Sequence, residues 1–427
     1  MAPEDQPGGA PPWAPGYRHL TPEISPIPFQ FRMRPQDFRV EEVPLEEPDG
    51  EGTHIFLELE KRGLSTVDAV RRLARALERP EHAFGFAGRK DTFAITRQWI
   101  SVEHVDPATV AAIEIEDASV LRVTRHRKKL RLGQLAGNRF QLRLVQMADG
   151  DRENFERVLA SLSSGGLPNY YGAQRFGRHG FTYRLGRLLV QRRYRDYLDA
   201  FLSPEHNTPS ASIDELAEVF RTGSPSAQRR LTRIASSLPP DLAALAHQLA
   251  RRPGDVASGV RAIPKRTRRF HLSSFQSRVF NRVLAARLGE GLSLGEVVPG
   301  DVVYEHSSGR ATLLEKDAPV PEEAQARATA FETSPSGPMP GTRALAAEGL
   351  PGELEQAALA AEELSIDDFK NLPEGFAQNG ARRPLRVPVT EVQVGWSPAS
   401  ADLRFRLPKG AFATTLLEEL RKDFRGP

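Results

Sequence analysis

Arg89, Lys90 and Asp91 stand side by side in GFAGRKDTFAITRQWISV, the stretch from Gly85 to Val102, where a glycine-punctuated turn runs into an apolar segment. A carboxylate beside cations suits nucleophilic or general-base chemistry, because a neighbouring guanidinium or ammonium keeps it ionised even in a closed pocket. Arg89, Lys90 and the more distant Arg32 are the candidate partners. The same residues also make an ordinary turn, with Gly88 supplying backbone freedom and Asp91 capping the next segment.

Two further stretches carry groups that could hold a heterocycle. GNRFQLRL offers Asn138 and Phe140; Phe140 alternates with Leu142 and Leu144 as a core residue would, and an aromatic beside a cationic run also suits base stacking. LPNYYGAQRFGRHG places Asn169, Tyr170, Tyr171, Gln174, Arg175, Phe176 and Arg178 between glycines, either as an anchored loop or as a surface that stacks and hydrogen-bonds unpaired bases. From Leu121 to Met147 there is no acidic residue, while Arg122, Arg125, Arg127, Lys128, Lys129, Arg131, Arg139 and Arg143 fall in that span. A second basic cluster is Arg261, Lys265, Arg266, Arg268 and Arg269. Each alone could be a solvated face; two in one chain point to a polyanion, most simply nucleic acid.

Composition removes other chemistries. There is no cysteine, so thiol nucleophiles, zinc thiolates and disulfides are out. The 10 histidines show no H-E-x-x-H spacing, and neither an EF-hand loop, a P-loop, a G-x-G-x-x-G nor a G-x-S-x-G elbow occurs. No metal and no cofactor are expected. No apolar run approaches the ~20 residues of a membrane span, and no basic-then-apolar leader is seen. No membrane partner is expected, the cytoplasm is the default location, and a monomer is the default state.

The elements that must position these groups follow from periodicity. Residues 1–28, rich in Pro, Gly and Ala, are expected to be a disordered tail. Phe29, Phe31 and Met33 alternate with polar neighbours as a half-buried strand; FRVEEV and THIFLELEK are further strands. Ser65 or Thr66 caps a helix carrying Val67, Val70, Leu73, Ala74 and Leu77, closed by Pro80. AITRQWISV, LRVTRH and NRFQLRLVQM are strands, and ENFERVLASL is a helix stopped by Gly165 and Gly166. Residues from about 182 to 290 are mostly helical, PSGPMPG at 335–341 is a loop, and GELEQAALAAEEL is a helix. LRVPVTEVQVGW and ADLRFRLPKG are paired strands before a last helix, FATTLLEELRKDF. The expected class is α+β, a sheet domain interrupted by an inserted domain.

GFAGRKDTFAITRQW, RHRKKLRLGQLAGNRF, GLPNYYGAQRFGRHG, FHLSSFQSRVFNRVLAARL, GPMPG and LRFRLPKGAFATTLLEEL occur in that order. Together they resemble the tRNA pseudouridine synthase D family from about Phe31 to Leu420. The resemblance implies a pseudouridine synthase catalytic domain with a mixed, mostly antiparallel sheet, in two parts at 29–165 and 388–427, interrupted by a largely helical insertion at 166–387. It implies isomerisation of uridine to pseudouridine in tRNA, typically at position 13, without metal or cofactor. The family's catalytic aspartate falls on Asp91, and its base-packing phenylalanine on Phe140, with Asn138 beside it. A basic residue commonly lysine in relatives falls on Arg32, which can serve as a charge partner but not as a proton donor. Lys90, Asn169, Tyr170, Gln174 and Arg175 are further expected substrate contacts, and Arg125, Arg127, Lys128 and Lys129 phosphate contacts. The alternative is a non-catalytic RNA-binding or RNA-folding protein in which Asp91 is a turn residue.

Overall fold

Alternation of apolar and polar residues builds strands β1 (Phe38–Pro44), β2 (His54–Arg62), β3 (Gly85–Phe86), β4 (Ile95–Glu103), β5 (Ala118–His126), β6 (Leu135–Val145), β7 (Thr390–Ser397) and β8 (Ser400–Pro408). In the computed structural model, which describes residues 10–177, 179–223, 227–373 and 375–424, they pair in the order β7-β8-β6-β1-β4-β2-β5, with β3 on β4. Only β1 and β4 run parallel; the other pairs are antiparallel. This mixed sheet belongs to one of two compact units, formed by His19–Leu167 and the described residues from Val387 onward.

One sheet face carries two separate cores. Helix α1 (Thr66–Ala76), N-capped by Ser65 Oγ accepting from Asp68 N, packs Val70 and Leu73 on Leu57, Leu59, Ile100 and Val102. Helices α2 (Arg152–Gly165) and α3 (Ala413–Arg421) pack Phe155, Leu162, Leu416 and Leu420 with Phe38, Phe140, Leu142 and Leu403. Burying such side chains contributes roughly 2–3 kcal/mol each. Register puts a polar strip on the same face: Glu42 lies opposite Asn138, and Thr96 opposite both Val40 and Lys61. Glu42, Lys61, Thr96 and Gln98 are all buried. Polar groups are not buried without partners at low cost, so this strip between two apolar cores is a candidate site.

The second unit comprises Pro168–Arg386 with the described residues up to Arg18. It is largely helical, built around the helix Lys265–Gly289, which buries Phe275, Val279, Val283 and Leu284. A four-stranded sheet completes it, in the order Ala381–Pro384, Thr333–Met339, Val302–Glu305, Ala311–Leu313.

Three expectations are corrected. The PSGPMPG stretch is not a loop: Thr333–Met339 is a strand paired on both sides. Its Gly337 serves close packing, since a Cβ there would press to 3.0 Å on Phe280 and Leu385. Residues 29–34 do not form a strand. Gln30 makes a single bridge to Val145, Arg32 turns left-handed at φ 59°, and Met33 is exposed. The N-terminal segment is packed where it is described. Trp13 stacks on Phe176 and Tyr17 on Tyr170 in the helical unit, while Ile24 and Ile27 are buried in the sheet unit. Sparse large apolar residues among prolines anchor an irregular, turn-containing chain, which periodicity does not reveal; residues 1–9 of the expected tail lie outside the described residues.

Candidate active site

The turn bearing Asp91 is fixed by its main chain. Lys90 N donates to Thr66 Oγ1 at 2.9 Å, and Thr66 Oγ1 donates to Gln98 Oε1 at 2.8 Å. Lys61 Nζ donates to Asp91 O at 3.0 Å and also to Leu64 O. Gly88 has no left-handed φ, and a Cβ there would meet Lys90 Nζ at 3.9 Å and Leu135 at 4.0 Å. The turn therefore does not demand a glycine at 88.

The Asp91 carboxylate takes no part in that scaffold. Its Oδ2 accepts from Arg32 Nη2 at 2.7 Å, and the Asp91 side chain is 45% exposed against 12% for Arg32. The Arg32 guanidinium carbon sits over Phe38, 4.1 Å from the ring centroid, and reaches this pose from a left-handed backbone. Such a conformation costs a non-glycine residue of order 1 kcal/mol, and it holds a guanidinium against an open carboxylate. An accessible anion, locked to one cation and free on its other edge, can act on a ligand.

Behind it sits a buried cluster. Lys90 Nζ is 2.8 Å from Glu42 Oε2 and donates to Asn138 Oδ1 at 2.6 Å. Trp99 N donates to Glu42 Oε1 at 3.3 Å. Burial pushes the Glu42 carboxyl above the usual carboxylate range, and Lys90 opposes that push. Lys90 thus orients Asn138 and neutralises Glu42 from inside the sheet.

Phe140 lies two residues along β6 from Asn138 on the same face, stacked on Phe405 at 5.2 Å and near Phe38 at 6.3 Å. It is 9% exposed, so its core role is real. Phe140→Ala should lower unfolding stability by about 3 kcal/mol, and Phe140→Leu by less than about 1.5 kcal/mol. Urea denaturation checks this; equal stability of the alanine variant and the native chain would contradict the packing.

The other expected contacts separate. In the helical unit, Asn169 and Tyr170 are buried. Asn169 Nδ2 donates to Pro384 O at 2.8 Å, Arg383 donates to Asn169 Oδ1, and Tyr170 stacks on Tyr17 at 4.0 Å. They brace their own unit. Gln174 is exposed, and Arg175 Nε donates to Ser277 Oγ at 3.0 Å. Arg178 lies outside the described residues. The run after β5 is less bare than its composition. Arg127 pairs with Asp49 at 3.4 Å and Glu51 at 2.5 Å, Arg125 donates to Gly52 O, and Lys129 to His82 O. Arg139 is likewise paired, with Glu391 and Glu41. The acids come from other strands and loops, out of reach of a local charge count. Lys128 is exposed.

A concavity of about 360 Å³ on the opposite sheet face includes Arg39, Glu41, Glu60, Arg97, Arg139 and Glu391 in its lining. Most of these charges pair with one another, Arg97 with Glu60 at 2.7 Å and Arg139 with Glu391 at 2.6 Å. It reads as a solvated, ion-paired surface, separate from the chemistry around Asp91.

A model of the tRNA pseudouridine synthase D (TruD) family matches residues 16–420. The chain belongs to the TruD family. Its relatives include a tRNA pseudouridine synthase D of Geobacter sp. (strain M21), 38% identical over 412 residues that cover 95% of this chain and 99% of that one. That of Thermus thermophilus is 33% identical over 407 residues, covering 95% and 92%. The crystal structure of a TruD protein from Methanosarcina mazei superposes with a TM-score of 0.77 at 25% identity, covering 96% of this chain and 97% of that one. The α+β architecture is thus a TruD architecture.

Within this TruD frame, the sequence singled out Asp91, Arg32, Lys90 and Asn138, and the structure brings all four into the sheet unit. The sequence did not single out Glu42, Lys61, Thr66 and Gln98, which contact that turn and its neighbours. A signal existed for two of them. Glu42 follows Phe38 and Val40 in phase, and Lys61 follows Leu57 and Leu59; a charged residue on the apolar phase of a strand is a buried one.

Proposed function

We propose that this chain isomerises uridine to pseudouridine in tRNA, at position 13, with Asp91 as the nucleophile. The observation that carries the proposal is the open Asp91 carboxylate paired with Arg32, on a turn whose hydrogen bonds are made by other groups. Its relatives bear the name tRNA pseudouridine synthase D, which supplies the substrate class.

The reaction breaks the bond between ribose C1′ and uracil N1 and forms one between C1′ and C5; C5 loses a proton and N1 gains one, so the product is an isomer. Asp91 attacks the nucleoside, the uracil detaches and turns, and C5 rejoins the sugar. The freed ring must be held without being fixed. Asn138 suits this: its carbonyl is engaged by Lys90, which leaves its NH₂ to donate to a uracil carbonyl, and Phe140 follows two residues along the same strand face. The target nucleotide has to leave its stack to reach the carboxylate, and phosphate contacts position the RNA without reading its sequence.

Mapping pseudouridine in total RNA from cells with and without this chain should show loss at tRNA position 13. Unchanged maps, with purified chain leaving tRNA unmodified, would instead make it an RNA-binding protein.

Phosphate binding by the run after β5 has its own test. Because Arg127 already has acidic partners, replacing Arg127, Lys128 and Lys129 by Ala should flatten the slope of log K against log salt by only about 1–2 units. An unchanged slope would make the run a solvated face.

A further inference from the structure

Lys61 is one of the most buried side chains of the sheet unit, 1% exposed. It is the penultimate residue of β2, on the polar strip across from Thr96. Its Nζ donates to two main-chain carbonyls, Leu64 O at the entry to α1 and Asp91 O on the catalytic turn. Among the described residues no carboxylate side chain forms an ion pair with it. A buried ammonium held only by carbonyl dipoles is costly to fold, and an apolar residue of similar volume would be the cheaper choice for stability alone. Its two partners lie 27 residues apart in sequence, so the single side chain ties the start of α1 to the turn that presents Asp91.

We propose that Lys61 is a positioning residue for the reaction: its ammonium clamps the Leu64 and Asp91 carbonyls, setting where the Asp91 carboxylate stands and adding positive charge behind it. The inference rests on Asp91 being the catalytic carboxylate.

The strength of the clamp, and the positive charge behind the carboxylate, depend on Lys61 being protonated: the neutral amine keeps two N–H donors but donates far more weakly than the ammonium. Burial lowers the Lys61 ammonium to about 8, with Asp91 pulling it up and Lys90 pushing it down. These two groups come from the turn; across the strand, Thr96 is uncharged, and Glu42 on β1 is engaged by Lys90. Because the folded value lies below the ordinary lysine value, the folded chain sheds this proton first as pH rises. Below about pH 8 the clamp is charge-assisted and burial of the charge weighs against folding; above it the contacts weaken, the charge behind Asp91 is lost and that penalty fades.

The test separates positioning from structural support. Lys61→Met removes the charge at similar volume. We expect kcat for pseudouridine formation in tRNA to fall about 10²-fold, as for a displaced catalytic group, with KM changed less than about threefold. The melting temperature at pH 7 should be equal to or above that of the native chain. A variant with native kcat, or one whose loss of activity tracks a large drop in melting temperature, overturns the proposal. Should Lys61→Met fail to fold, the pH dependence decides. From pH 7 to pH 9 the native kcat/KM should fall about tenfold relative to Lys61→Arg, whose charge persists, a ratio that cancels titration of the RNA itself. A constant ratio overturns the clamp. Asp91→Asn is assayed alongside: activity in that variant removes the reading of Asp91, whereas an inactive Asp91→Asn with a fully active Lys61→Met removes only the role of Lys61.

Discussion

Asp91→Asn is expected to fold, to bind tRNA at least as tightly as the native chain, and to form pseudouridine at least about 10⁴-fold more slowly, the scale of losing a catalytic nucleophile. The structure makes this a clean substitution. Asp91 holds its turn through its main-chain carbonyl, which accepts from Lys61, and through Lys90 N, which donates to Thr66. Asparagine keeps that main chain and nearly the same volume. The side chain gives up its ion pair with Arg32, and because Asp91 is 45% exposed this pair is worth no more than about 1 kcal/mol. Binding can tighten because an anion that repels the RNA backbone has gone while Arg32 stays. A turn residue would instead leave activity intact.

Lys90→Met should be the most destabilising single change around the site. It strands Glu42, whose side chain is 1% exposed, and breaking one side of a buried pair costs about 3–5 kcal/mol. The loss should depend on pH with a definite sign. Burial already holds the folded Glu42 carboxyl above its ordinary value, with Lys90 opposing. Removing Lys90 raises it further. A group whose folded pKa exceeds its unfolded value contributes stability below the unfolded value and loses that contribution as pH rises through the folded one. Lys90→Met should therefore be closest to native stability at acid pH and fall steadily toward neutrality. Adding Glu42→Gln should remove that pH dependence, since a neutral amide replaces the stranded carboxyl. Urea unfolding of both variants at pH 5 and pH 7.5 checks this. Equal losses at the two pH values would show that Glu42 is not the group left stranded.

Most strands and helices of the sheet unit were legible because each carries one clean period. The alternating end of THIFLELEK became β2, the apolar segment AITRQWISV became β4, and the Ser65 cap with Val70 and Leu73 at helical spacing became α1. Where two influences compete, period misleads. Phe29, Phe31 and Met33 alternate, yet Arg32 takes a left-handed turn to bring its guanidinium to Asp91, and Met33 ends up exposed. Two prolines and a glycine disguised Thr333–Met339 as a loop, because the reason for Gly337 is a distant phenylalanine. At the site, Asp91 was visible through its neighbours in sequence. Glu42 and Lys61 act across strands, and their roles depend on pairings that no local window contains. Local charge overstated Arg127 and Arg139 for the same reason, as their acidic partners come from elsewhere in the fold.

The most direct measurement of the central claim is tritium release from tRNA carrying uridine labelled at C5, under single-turnover conditions with protein in excess, comparing the native chain with Asp91→Asn. The native chain should release tritium in step with pseudouridine formation, and a folded, tRNA-binding Asp91→Asn none above background. Release by Asp91→Asn at a near-native rate would contradict the assignment of the carboxylate.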